Sequence, residues 1–310
     1  MKTISRLRRR DGERLSALQQ IKRSRESYLL LAPFMLLFLF LTVIPMISAI
    51  GLSFTNFNML ETPRFVGWQN YQRMLLGDPI FYKVVKNTLV FAFLTGPVSY
   101  ILSFLFAWLI NETGRRMRTF LTLIFYLPVL SGNVYFIWAF LFSSDSYGVI
   151  NGLLMSMNII QEPVGWLINQ NTIMAVLIVV QLWMSLGTGF LTFVAGFQGM
   201  DNSLFEAGAI DGVRNRWQEL WYITLPMIKP QMMFSAVMSI TSAFNVGTLI
   251  TALCGYPTVD YAAHTIMNHL TDYGTIRFEM GYASAIATLL FLMMVGANLL
   301  AQRLIAKVGE

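Results

Sequence analysis

The sequence predicts an all-α, polytopic membrane protein with six transmembrane helices, and three observations carry that prediction. Six apolar runs, at about 28–54, 88–110, 119–142, 172–196, 231–253 and 282–302, are long enough to cross the hydrocarbon core, which takes about 20 residues of helix. None of the six contains an Asp, Glu, Lys or Arg. The chain is 55% hydrophobic and only 12% charged, well below the quarter or so of charged residues in a soluble domain.

Residues 1–27 form a basic tail with nine Lys or Arg (Lys2, Arg6, Arg8, Arg9, Arg10, Arg14, Lys22, Arg23, Arg25). Three more lie in the 111–118 link, three in 197–230 and two in the C-terminal tail, against five (Arg64, Arg73, Lys83, Lys86, Arg277) on the opposite side. Basic residues collect on the cytoplasmic side of a membrane protein, so both termini are expected in the cytoplasm. The 143–171 link has neither Lys nor Arg, as expected outside. The net charge of +6 is thus a topology signal. Arg8-Arg9-Arg10 stands just before a span, so no nucleic-acid partner is expected. Ile4, Leu7, Leu15, Leu18 and Ile21 allow part of the tail to lie along the bilayer surface.

The first span is too long for the apolar core of a cleavable signal, about 7–15 residues. It contains Pro33 and Pro45; the second contains Pro97 and the third Pro128. Proline removes a helix hydrogen bond and bends the chain. These four positions are therefore the expected bends, serving either irregular packing or gate hinges.

Polar groups inside the spans are few. Asn133, Gln181 and Asn245, with the aromatic Tyr135, Trp138 and Trp183, form a candidate substrate path: rings stack on apolar faces of a polyhydroxylated solute and amides bond its hydroxyls. Taken singly, the same amides read as interhelical glue and the rings as core or belt residues. Asn298 is a further span amide, and Gly96, Gly132, Gly187, Gly189 and Gly247 allow close helix approach.

Ion-coupled carriers place carboxylates or histidines at membrane depth, and this chain has none there. His264 and His269 fall in the 254–281 link. Five residues apart, with no carboxylate pattern, they read as solvated loop residues, and no metal site is expected. Cys254 is the single cysteine, which excludes an internal disulfide. No G-x-x-x-x-G-K-[ST] phosphate loop occurs. The chain is therefore expected to be a transport subunit and not an enzyme, taking its energy from elsewhere. An ion-coupled carrier or channel acting alone is the alternative.

The 197–230 connection is long and structured. Ser203 and Glu206 are spaced as a capping box for a short helix. Ala207, Gly208 and Ala209 clear side-chain bulk from its surface, as if another protein approached there. Gly212 suits the left-handed position after a helix, and Asp211 is placed to cap a second piece from Arg214 to Ile223. Thr224-Leu225-Pro226 is expected to break that piece, and Pro230 to open the fifth span.

Glu206-Ala207-Gly208, Asp211-Gly212-Val213, Leu225-Pro226 and Pro230 resemble the EAA motif of ABC-importer permeases of the carbohydrate-uptake family. The resemblance extends over about 28–305. It includes Gly67-Trp-Gln-Asn-Tyr71, Asp78-Pro79, Asn87-Thr88-Leu89, Gly148 to Gly152, Trp166-Leu167, Ala195 to Gln198 and Gly281 to Ala285. Gly208 stands where the family usually has Ala. The resemblance implies the type I ABC importer permease architecture, with 28–305 as permease domain and 197–230 as its cytoplasmic coupling loop. Ser203, Glu206, Ala207, Gly208, Asp211, Gly212, Leu225 and Pro226 would contact the ATPase. The implied partners are a second homologous permease, two cytoplasmic ATPase subunits, an extracytoplasmic solute-binding protein and the lipid bilayer. No cofactor would be bound by this chain; ATP and Mg would sit on the ATPase subunits. The implied cargo is a carbohydrate, and Tyr273 to Tyr282 resembles the branch for larger saccharides. Glycerol phosphate is the alternative solute, and no span offers a cation to meet its phosphate.

Overall fold

The computed structural model describes residues 24–132 and 134–307. Most of the basic tail, up to Arg23, and the path candidate Asn133 lie outside them. The chain divides into two units, Met1–Gly51 and Leu52–Glu310. The first carries all but the last residue of the helix α1 (Arg25–Leu52), whose most apolar 18 residues have a mean hydropathy of 2.6 and so are apolar enough to span a bilayer.

The second unit holds the rest. In order come α2 (Phe81–Asn111), α3 (Arg115–Leu130), α4 (Tyr135–Leu141), α5 (Val149–Ser156), α6 (Ile173–Met184), α7 (Thr188–Gln198), α8 (Asn202–Ile210), α9 (Arg216–Glu219), α10 (Lys229–Phe244), α11 (Gly247–Cys254), α12 (Ile266–Thr271) and α13 (Met280–Ala306). Among the described residues there is no strand, only an isolated antiparallel bridge between Thr55 and Phe65. Five helical segments are long and apolar enough to cross a membrane: α1, α2, α6 with α7, α10 with α11, and α13. The bent pair α3 and α4, which meet at 90°, makes a sixth when the two are counted as one broken span. The all-α, polytopic class expected from the sequence is the class observed, with five to six candidate spans.

The interior of the second unit is built on small residues. Lipid tails are as apolar as leucine, so helices in a bilayer associate through close packing and hydrogen bonds. α2 turns a stripe of Ala92, Gly96, Ser99, Ser103 and Ala107 inward, and packs on α7 and α10. α7 meets α10 at two glycines. A Cβ on Gly189 would stand 2.7 Å from Ser235 Oγ, and one on Gly196 would stand 3.0 Å from Gln231 Cγ. Hydroxyls on α2 return their protons to their own helix: Thr88 to the Val84 carbonyl at 2.9 Å and Thr95 to Phe91 at 2.8 Å, which leaves them satisfied without water.

The bends match the expected proline positions only in part. α2 runs unbroken through Pro97, and Pro128 lies inside α3 near its end. One break, the 90° bend between α3 and α4, does follow Pro128, and two more fall where no proline stands, at 185–187 between α6 and α7 and at 245–246 between α10 and α11. Gly187 has φ −118 and ψ −127, a conformation that costs glycine little. Two prolines are instead absorbed by wide turns just upstream: Leu39–Val43 precedes Pro45, and Leu220–Thr224 precedes Pro226. A proline ring clashes with the carbonyl four residues back, and a π-turn moves that carbonyl away.

Candidate functional site

The site is assembled from three places in the second unit. The first is the row of span breaks. Non-helical backbone at membrane depth is tolerated only where protein buries it or where it lines a cavity. Gln181, buried one turn before the 185–187 break, donates from Nε2 to Ser242 Oγ at 3.0 Å, and so ties α6 to the last turn of α10. Asn245 closes α10 and is exposed. Trp138 stands edge-on to Trp183 at 5.3 Å and stacks on Phe142 at 5.9 Å. Its buried Nε1 has no hydrogen-bond partner among the described residues. Trp183 is 39% exposed, whereas Tyr135 packs against the core between α6 and α11. The structure thus brings Trp138 to Trp183 and Gln181 to α10. Tyr135 belongs to packing.

The second place is the 197–230 connection. α8 begins at Asp201, whose carboxylate accepts from the Ser203 amide at 3.0 Å. The Ser203 amide and hydroxyl hold that carboxyl below the usual range. The expected box of Ser203 and Glu206 is therefore not the cap. An ionised carboxylate two residues earlier is the better acceptor for helix-start amides. At the other end Val213 N donates to the Gly208 carbonyl at 2.9 Å and Gly212 N to Ala209 at 3.4 Å, with Gly212 at φ +95. This pair of bonds is a Schellman motif, and its left-handed residue favours glycine. The second piece is capped by Asn215, which accepts from Gln218 N at 2.8 Å, and not by Asp211. Asp211 instead serves as the C-cap of α8. Pro226 does not break this piece either; helix resumes at Leu225–Met227 after the wide turn.

Gly208 is buried against the connection itself. A Cβ there would stand 2.5 Å from Ile223 Cδ1, so its small size serves an intrachain contact. That contact fixes the rotation of α8 on its axis. Leu204, Ala207 and Ile210, three apart, then share an exposed face, with Ile210 87% exposed. Behind α8 lies a cavity of about 420 Å³ lined by Trp108, Glu112, Phe205, Glu206, Arg216 and Glu219 among others. Arg216 bridges Glu112 and Glu219 there, each at 3.0 Å, and Trp217 packs on Trp108 at 5.7 Å. Leu225 is buried beneath this layer.

The third place is the opposite end of α2, where Asp78 organises a buried network. His269 Nε2 and Tyr282 Oη each lie 2.8 Å from Asp78 Oδ2. The amides of Ile80 and Phe81 donate to Oδ1 at 3.0 and 3.2 Å. Burial opposes the charge on Asp78, yet these donors outweigh it and hold the carboxyl well below the usual range. Asn87 donates to the Tyr261 and His264 carbonyls, both at 3.0 Å. Arg73 pairs with Glu279 and lies over the Tyr282 ring at 4.4 Å. His264 is fully buried among the rings of Tyr256, Tyr261 and His269. Burial lowers its pKa to about 4. The two histidines are therefore core residues, not the solvated loop residues their spacing suggested.

Two anchors lie in stretches that carried the family resemblance, but their structural role was not read from the sequence. Asn151 is fully buried. It donates to the carbonyls of Ser143, Asp145 and Val164 and accepts from Trp166 Nε1 at 2.8 Å. Asn70 donates to the Ser53 and Thr55 carbonyls, both at 2.8 Å.

Several helices long and apolar enough to cross a membrane, two of them broken near their middles, with one short capped helix between α7 and α10, are the build of a multi-pass membrane protein. Residues 99–310 match the family of binding-protein-dependent transport system inner membrane components, and the chain belongs to that family. It is similar to the probable ABC transporter permease protein YesP of Bacillus subtilis (strain 168), 32% identical over 86% of each chain. It is similar to the arabinooligosaccharides transport system permease protein AraP of Halalkalibacterium halodurans, 30% identical over 86% of this chain and 83% of that one. The lactose transport system permease protein LacF of Rhizobium radiobacter is 30% identical over 72% of each. In fold it matches a chain of a bacterial ABC transporter involved in the import of alginate, with a TM-score of 0.73 at 23% identity, covering 94% of this chain and 99% of that one. The chain is thus an inner-membrane, multi-pass component of a transport system.

Proposed function

We propose that this chain is the permease subunit of an ATP-driven importer and that it moves a carbohydrate, an oligosaccharide, across the cytoplasmic membrane. The observation that carries the reading is α8: a helix capped at both ends, with its rotation fixed by Gly208 against Ile223 and an apolar face left open. Such a helix can transmit force from a partner, since it is docked on the run that leads directly into α10. Leu204, Ala207 and Ile210 would seat in a groove of an ATPase subunit, with Glu206 beside them. Asp211 and Gly212 hold the end of that helix, and Leu225 with Pro226 couples it to the fifth span. ATP and Mg stay on the ATPase subunits. A second permease and an external solute-binding protein complete the assembly, and the basic side, with both termini, faces the cytoplasm.

The cargo reading is supported by the names of AraP and LacF and by the chemistry at the breaks. Discontinuous helices mark transport sites near the bilayer midplane. Trp138 and Trp183 offer ring faces there, and Asn245 offers an amide. Charge-free spans disfavour a phosphorylated solute and an ion-coupled carrier alike.

Ile210→Asp tests the coupling, because it places a charge on the open face without touching a packed residue. The expected result is loss of ATPase co-purification and a drop of tenfold or more in uptake, with normal membrane levels of the permease. Unchanged co-purification and uptake would reject the role given to α8.

A further inference from the structure

A groove of about 330 Å³ runs between α3 and α7, separate from the span breaks and from the cavity behind α8. Arg118, Thr122 and Tyr126 line it from one face of α3, four residues apart, and Leu191 and Gln198 line it from α7. Contact between Phe125 and Phe190, with ring centroids 6.1 Å apart, holds the two helices together beside it.

The polar groups of this groove are set for a ligand that accepts hydrogen bonds. Arg118 Nη2 donates to the carbonyls of Asn111 at 2.8 Å and Thr113 at 3.2 Å, which pins the guanidinium at the end of α2. Its Nε and the Thr122 hydroxyl are both buried and have no partner among the described residues. A guanidinium has five donors and no acceptor, so its unmet Nε asks for a hydrogen-bond acceptor, the Thr122 hydroxyl can donate to the same one, and the positive charge favours an anion. Thr119 also lines the groove. Arg115 and Arg116 are exposed one turn away, and neither forms an ion pair among the described residues. Gly114 leaves the first turn of α3 without a side-chain cap, so the positive end of that helix adds to the same field. Toward the bilayer the lining turns apolar, through Leu123 and Leu191. A cationic rim above an apolar slot matches a molecule with a phosphate head and hydrocarbon tails.

We propose that the α3–α7 groove is a binding site for an anionic glycerophospholipid, its phosphate on Arg118 and Thr122 and an acyl chain along Leu123 and Leu191. Basic pockets between spans on the cytoplasmic side are a recurrent form of headgroup recognition. That the leaflet is the cytoplasmic one rests on the orientation proposed above; the existence of the site does not. A lipid held here would wedge α3 against α7, and α7 leads straight into α8.

The test uses the full chain, purified in detergent and exchanged into nanodiscs of phosphatidylcholine with increasing phosphatidylglycerol. Lipid retained after gentle release is counted by native mass spectrometry. Wild type is expected to keep one phosphatidylglycerol more than Arg118→Gln does. Thr122→Val, which leaves the Arg118 contacts to Asn111 and Thr113 intact, is expected to weaken retention about tenfold. Equal retention in wild type and Thr122→Val would overturn the proposal, as would equal retention of phosphatidylcholine. Displacement of the lipid by 10 mM inorganic phosphate would reassign the groove to a free anion. Lipid loss on adding the ATPase or second permease alone would reassign it to a protein contact.

Discussion

The two ends of α2 hold the second unit together by opposite means. At its N-terminal end a buried carboxylate, two buried histidines and tyrosines packed edge to face lock the chain from 73 to 88 onto that from 254 to 282. At its C-terminal end the 197–230 connection has no buried ionic network: it relies on caps, one glycine contact, exposed ion pairs, the Trp108–Trp217 contact and an apolar seat through Leu220, Leu225 and Ile228. The helix between them has 31 residues, about 46 Å at 1.5 Å per residue. Buried ionic networks are costly to break once formed, so the Asp78 end is built to stay closed. Exposed ion pairs contribute little, about 0–1 kcal/mol each, so the α8 end sits by shape and can shift as a body.

The largest expected effect comes from removing the buried carboxylate. Asp78→Leu strips two side-chain donors and two amides of their acceptor, and should destabilise the protein by roughly 3–5 kcal/mol. Its melting temperature should fall sharply, while ATPase association through α8 persists in what folds. Loss of both in proportion would erase the contrast between the ends.

Acid should act at the same end. His264 is neutral in the fold, with its pKa lowered to about 4, whereas an unfolded histidine titrates near 6.5. The folded state therefore binds fewer protons in that window. The stability tied to His264 is full above about pH 6.5 and is lost as pH falls toward 4, by roughly 3 kcal/mol in all. Asp78, with its carboxyl held low, adds acid sensitivity only below about pH 4, the ordinary carboxylate range. His264→Phe keeps a ring among Tyr256, Tyr261 and His269, and should flatten the melting temperature between pH 7 and pH 5. An unaltered pH profile would remove His264 from this account.

At the other end the effects are smaller and more local. Gly208→Val drives a methyl into Ile223 and should cost about 1–3 kcal/mol by overpacking. It should also rotate α8, so uptake falls more than protein level does. Asn215→Ala removes the cap of α9 at about 1 kcal/mol. Hydrogen exchange should quicken in 216–224 alone; quickening around Asp78 as well would mean the two ends are not independent.

The class of the fold was legible because runs of about 20 uncharged residues have few other uses. The left-handed Gly212 was legible too, because a glycine after a helix has a single strong local reason. What stayed hidden depends on partners far along the chain. Asp78 and His269 are 191 positions apart, and nothing local to either marks a buried pair. Gly208 looked like a surface for a partner because the neighbour it meets within the chain, Ile223, lies 15 positions on, in the wide turn Leu220–Thr224. The bend after Pro128 was legible because proline carries a local penalty, and the two breaks without a proline were missed for want of one. At 185–187 and 245–246 the packing of neighbouring spans decides instead, through contacts such as Gln181 with Ser242. Asp201 was passed over as a cap because Ser203 and Glu206 fitted a familiar spacing.

The wide turn at Leu220–Thr224 has a consequence for how changes in length spread. It inserts one extra residue per turn, and each residue of α-helix rotates the chain by about 100°. Removing a single residue there would restore an ordinary turn and leave Pro226 facing a carbonyl it cannot tolerate. Removing a residue from α9 would instead spin everything upstream, α8 included, relative to α10. The chain thus carries a phase setting between its protruding helix and its fifth span, and that setting is written in a count of residues as much as in their kind.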